Sequence, residues 1–179
     1  MNKFSILAIL LSVSAVNTLH AQDDWHLIKS NDGTIEAMLP GPAKKKSVKR
    51  KTLAGTVTTN SLEFHTADVE FSVSSTKLSR FIRKHAKDER LYRNAREKVL
   101  SRFYGEQKSF EEIEIDGNPA RELHYEVVDF HDESHTGYHG VAVFIILGDT
   151  IYAANAIMEK EAGNSDLEKF RKSIKIKKE

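Results

Sequence analysis

Val69, Phe71 and Val73 alternate with Glu70, Ser72 and Ser74, and this two-residue period dictates the kind of layer the chain can build. Side chains of a strand point to opposite faces in turn, so such a segment buries one face and leaves the other wet. The same signal recurs. Ile35, Ala37 and Leu39 alternate with Glu36 and Met38 between the turn Asn31-Asp32-Gly33 and the stop Pro40-Gly41-Pro42. Leu62 and Phe64 mark a strand after Gly55, with His65 to Asp68 as the reversal into Val69. Ile113 and Ile115 alternate with Glu112, Glu114 and Asp116, and Asp116-Gly117 is a favoured hairpin turn. A strand over Leu123 to Phe130 follows, then a reversal at Asp132-Glu133-Ser134. The continuous apolar run Val141 to Leu147 suits a central strand, and Gly148-Asp149 turns it into Ile151 to Met158.

Helical spacing interrupts this series once at length. From Asp88, read as the cap, Leu91, Tyr92, Ala95, Val99, Leu100 and Phe103 recur at three- and four-residue intervals up to Gly105. Near the end, Ser165 and Glu168 have capping-box spacing, and Leu167, Phe170 and Ile174 form one apolar stripe. The expected fold class is therefore α+β. It has a mainly antiparallel sheet of about six to seven strands, one long helix and one short C-terminal helix.

Residues 1–21 read as a secretory signal peptide: Lys3 precedes the apolar run Phe4 to Ala15, and Leu19-His20-Ala21 closes it with a small residue. The apolar run is well short of the roughly 20 residues that a membrane-spanning helix needs. An exported protein, periplasmic or secreted after cleavage near Ala21, is the expectation. Cleavage of 21 of the 179 residues would leave 158, a size suited to a single domain over 22–179. With no cysteine, stability has to come from an ordinary core, and thiol catalysis is excluded. Lys3 is the only charge in the leader, so the remainder balances 26 basic against 26 acidic residues, which does not favour nucleic acid as a partner.

The order of elements resembles the PsbP and Mog1-like family of α/β/α sandwich domains, which includes the DcrB-type exported proteins. The resemblance covers Trp25 to Ile176. It is carried by Met38-Leu39-Pro40-Gly41-Pro42, by the two strands before a helix ending near Tyr104, by Asp116-Gly117-Asn118-Pro119-Ala120-Arg121, and by Phe170-Arg171-Lys172-Ser173-Ile174. It implies a sandwich fold and a non-enzymatic binding or assembly role beside a larger partner. No site residue of the family maps onto this chain.

Two constellations suggest chemistry. Asp129, His131, Asp132, Glu133, His135 and His139 are dense in ligand-type side chains. With the reversal centred on Glu133, His131 and His135 oppose each other, and Asp129 and His139 share their face. Asp129, His131, His135 and His139 would then offer zinc or copper a site, although the spacing follows no established metal signature. The other constellation is basic. Residues 77–102 carry ten Lys or Arg against three acids, whereas 106–133 carry ten acids against two bases. Lys44, Lys45, Lys46, Lys49, Arg50 and Lys51 add a further patch, read as a charged loop after the first strand. Together with Arg83, Lys87 and Arg90, these residues are the expected contacts for an anionic partner: an envelope or secreted protein, an anionic membrane surface or an acidic polysaccharide.

Enzymatic signatures are missing from the sequence. It has no Gly-x-Ser-x-Gly elbow, no His-Glu-x-x-His helix and no phosphate-cradling loop, and Glu112 with Glu114 fits a half-exposed strand. The expected function is an exported non-enzymatic binding or assembly protein acting through a sheet surface or its basic helix, with no cofactor. A metal-binding accessory protein comes second and a hydrolase third.

Overall fold

The polar turn at Asn31-Asp32-Gly33 folds two short strands, β1 (His26–Lys29) and β2 (Ile35–Leu39), into an antiparallel pair. The structure is a computed structural model that describes residues 25–52, 55–127, 137–160 and 164–177. The signal-peptide reading of 1–21 lies outside these residues. A further eight strands and three helices follow: β3 (Lys44–Thr52), β4 (Gly55–His65), β5 (Val69–Lys77), α1 (Arg80–His85), α2 (Asp88–Phe103), β6 (Glu106–Ile115), β7 (Asn118–Val127), β8 (Tyr138–Leu147), β9 (Thr150–Glu159), α3 (Ser165–Ser173) and β10 (Lys175–Ile176).

The expected antiparallel α+β architecture is present. Seven strands form one sheet in the order β3-β4-β5-β9-β8-β7-β6, and β1, β2 and β10 form a second, three-stranded sheet. Every pairing in the large sheet is antiparallel. The long helix explains the strand order: α2 carries the chain from β5 to the far edge, and β6 to β9 then return inward, with two-residue turns between β6 and β7 and between β8 and β9. Asp116 and Gly117 have φ of 49° and 79°, the pair of positive values that a two-residue type I′ hairpin requires.

Alternation along the strands divides the interior into two apolar layers. On one face, Phe71, Val73, Val141, Val143 and Ile145 meet the small sheet and the α3 residues Leu167 and Phe170. There Phe170 packs edge-on against Phe71 at 5.3 Å between centroids, and Phe71 meets Trp25 at 5.9 Å. On the other face, Leu123, Tyr125, Ala142 and Phe144 lie under Tyr92, Val99, Leu100 and Phe103 of α2. Each large side chain so buried contributes about 1.5–3 kcal/mol.

Four expectations about elements need correction. Lys44 to Lys51 is not a loop but most of β3, an edge strand exposed along its whole length. It pairs with β4 alone and buries neither face, so no apolar alternation announces it. Asp88 is not the cap of α2: Lys87 occupies that position without a side-chain cap bond, and Asp88 begins the helix. The predicted box at Ser165 and Glu168 does not form, because Asn164 is the N-cap and makes no side-chain cap bond. The short α1, capped by the Ser79 hydroxyl accepting from the Ile82 N–H, was not anticipated.

Candidate functional site

The β3–β4 register sets Lys45, Ser47, Lys49 and Lys51 opposite Leu62, Asn60, Thr58 and Thr56. Leu62 pairs in turn with Val73 of β5, which lies in the layer shared with the small sheet, so this whole row faces that sheet. The β1–β2 turn stands over it. Between them is an open cleft of about 550 Å³, with Lys29, Ser30 and Asn31 on the turn side and Lys45, Ser47, Asn60, Leu62 and Val73 on the sheet side.

Hydrogen bonds fix the turn wall. The Ser30 hydroxyl donates to Asp32 Oδ1 at 2.6 Å and accepts from the Ile35 N–H at 3.0 Å, while the Thr34 N–H reaches the same carboxylate at 3.1 Å. The Tyr152 hydroxyl of β9 donates to Asp32 Oδ2 at 2.6 Å, tying the turn to the main sheet. Burial alone would raise the Asp32 pKa, but the bonds from Ser30, Tyr152 and Thr34 outweigh it and hold the carboxyl below its ordinary value.

Donors dominate the lining. Lys29 lies 2.9 Å from Glu36, whose hydrogen bond raises the lysine pKa and keeps it charged. Lys45 has no ion-pair partner among the described residues. Ser47 donates its hydroxyl to Asn60 Oδ1 at 2.8 Å, which leaves the Asn60 amide N–H groups as donors toward the cleft. Ammonium and amide donors above an apolar floor of Leu62 and Val73 suit an anion with an apolar portion.

The other expected anion contacts are divided between two faces. By strand alternation Lys44, Lys46 and Arg50 lie on the α2 face, where Lys46 stands 3.7 Å from Glu63, although Lys46 also borders the cleft. Arg83 acts as a brace: its Nε donates to the Gly148 carbonyl at 2.6 Å, and its guanidinium also donates to Asp88 at 2.6 Å. Lys87 and Arg90, both exposed, belong to the start of α2, so the structure does not gather them with Lys45. Sequence reasoning missed Lys29, Ser30 and Asn60, because only the folding-over of the β1–β2 turn unites them.

Of the metal-ligand candidates, Asp129, His131 and His135 lie outside the described residues. His139 sits on β8 opposite Glu126 and Met158. Burial, and then nearby Lys160, lowers its pKa against the opposing effect of Glu126. Among the described residues no three His, Asp or Glu side chains converge as a metal site. The Glu112 and Glu114 pair is exposed on β6, and Glu112 accepts from Arg121 at 2.6 Å.

No family model and no curated protein matches this chain. Among solved structures it is similar to the solution structure of cyanobacterial PsbP (CyanoP) from Synechocystis sp. PCC 6803, with a TM-score of 0.55 and 13% identity over 87% of this chain and 94% of that one. The chain has a PsbP-like fold. A Pseudomonas aeruginosa protein of unknown function, described as a putative regulator, aligns at a TM-score of 0.38 and 13% identity over 80% of this chain and 86% of that one. In this PsbP-like fold, the cleft lies between the small sheet and the β3 edge of the large one.

Proposed function

We propose that this chain is an exported, non-enzymatic binding or assembly protein that engages an acidic segment of an envelope or secreted partner through the Lys29–Lys45 cleft. The observation that carries this reading is the donor lining: Lys45 and the N–H groups of the Asn60 amide stand beside a turn already locked by Asp32 and Tyr152. A wall held in place before binding lowers the ordering cost of association. Its charge steers an acidic partner toward it. The leader-like run Phe4 to Ala15 supports export.

Polyglutamate serves as the acidic probe. Titration at low ionic strength is expected to show binding that weakens about tenfold in Lys45→Glu with Asn60→Asp and fades with added salt. Lys98→Glu, an exposed change on α2, should bind as the parent does. Equal weakening by both variants would defeat the cleft as the contact. A parallel titration with phosphatidylglycerol vesicles separates a membrane partner from a protein one.

A further inference from the structure

The seven-stranded sheet is open, and its two outermost strands carry opposite charge. β3, at one edge, has six Lys or Arg among nine residues and no acid. β6, at the other, has four Glu against a single Lys in ten residues. Each strand is paired on one side only, so each presents a row of backbone donors and acceptors without strand partners among the described residues.

We propose that β3 of one copy of this chain pairs with β6 of a second copy, extending the sheet head to tail. Charge on an edge strand ordinarily prevents pairing, and here it still prevents pairing of like edges: β3 against β3 sets cation on cation, and β6 against β6 sets carboxylate on carboxylate. Only the mixed pairing converts the repulsion into attraction, so the same side chains reject the wrong partner and select the right one.

Geometry supports the match. Six antiparallel pairings separate β3 from β6, so the two strands run in the same direction within one molecule. A second copy turned by half a turn about the axis that crosses the strands therefore brings its β3 antiparallel to β6. In the register that sets Val48 opposite Ile113, Arg50 meets Glu111 and Lys49 meets Glu112. Val48 is 38% exposed, one of the few large apolar side chains left in solvent among the described residues. Because the two edges differ, the contact is heterologous and generates chains of copies rather than a closed pair.

Sedimentation velocity tests this with charge-swapped full-length protein. At low ionic strength the parent should form species whose mean mass rises with concentration, and about 0.5 M salt should return them to single chains. Lys49→Glu with Arg50→Glu should be monomeric alone, as should Glu111→Lys with Glu112→Lys, whereas an equimolar mixture of the two should regain assembly. Should a reversal disturb folding, Lys49→Gln with Arg50→Gln neutralises the same edge and should raise the monomer fraction. A parent that stays monomeric at low salt up to millimolar concentration overturns the proposal. So does persistent association of either swapped variant alone, or a folded mixture that stays monomeric. Lys45 and Asn60 are untouched by these swaps, so polyglutamate binding and self-association succeed or fail separately.

Discussion

Asp32 is the residue on which the cleft wall depends, because its two oxygens together accept from Ser30, Thr34 and Tyr152 across the turn. Its carboxyl pKa lies below the ordinary value, since these bonds outweigh the opposing effect of burial. A depressed folded-state pKa stabilises the protein above the unfolded value of about 3.9, and the contribution is lost as pH falls through the folded value. Urea midpoints measured from about pH 5 down to about pH 3 should therefore fall more steeply for the parent than for Asp32→Asn. At neutral pH the substitution should cost about 1 kcal/mol. Parallel pH curves for the two proteins would show that the carboxylate's bonds contribute nothing.

Between elements, a tight constraint lies where β7 meets β8 beneath α2. Tyr125 is 1% exposed, stacks with Phe103 at 6.0 Å and donates its hydroxyl to Asn155 Oδ1 at 2.9 Å. Burial raises the phenol pKa, so the donor keeps its proton. A Cβ placed on Gly140 would stand 2.3 Å from the ring and one on Gly105 2.8 Å from it, so both glycines clear the space that the ring fills. Gly140→Ala should destabilise by about 1–3 kcal/mol, read as a lower urea midpoint with an unchanged slope. Apolar periodicity and turn chemistry made much of this level legible: β5, α2, the Asp116-Gly117 hairpin and the Gly148-Asp149 hairpin are where the sequence implies. β3 was not legible, because a strand exposed on both faces has no apolar alternation to reveal it. Nor was α1, a six-residue helix with no buried side chain. At α2 and α3 the cap fell one residue before the expected one, a matter of local dihedrals that composition does not encode. The basic patch was visible as charge, but the cleft was not. Lys29, Lys45 and Asn60 converge only through strand register and the return of the β1–β2 turn.

Across the whole molecule, the two apolar layers share one sheet, and this coupling should make them unfold together. β8 sends Val141, Val143 and Ile145 to one layer and Ala142 and Phe144 to the other, so neither layer can open without disturbing the strand that supports both. Trp25, the only tryptophan, reports on the first layer through its contacts with Phe71 at 5.9 Å and with the Lys169 ammonium at 4.5 Å. Gly140→Ala injures the second layer, at Tyr125 under α2. If the sheet transmits that damage, tryptophan fluorescence and far-ultraviolet circular dichroism should give coincident urea transitions in the parent, and both should shift by the same amount in the variant. A fluorescence midpoint that holds still while the dichroism moves would instead divide the molecule into two cooperative units, with the small sheet and α3 surviving after the α2 layer has opened. Such a division would also leave the cleft floor intact after α2 is lost, because Leu62 and Val73 belong to the Trp25 side of the sheet.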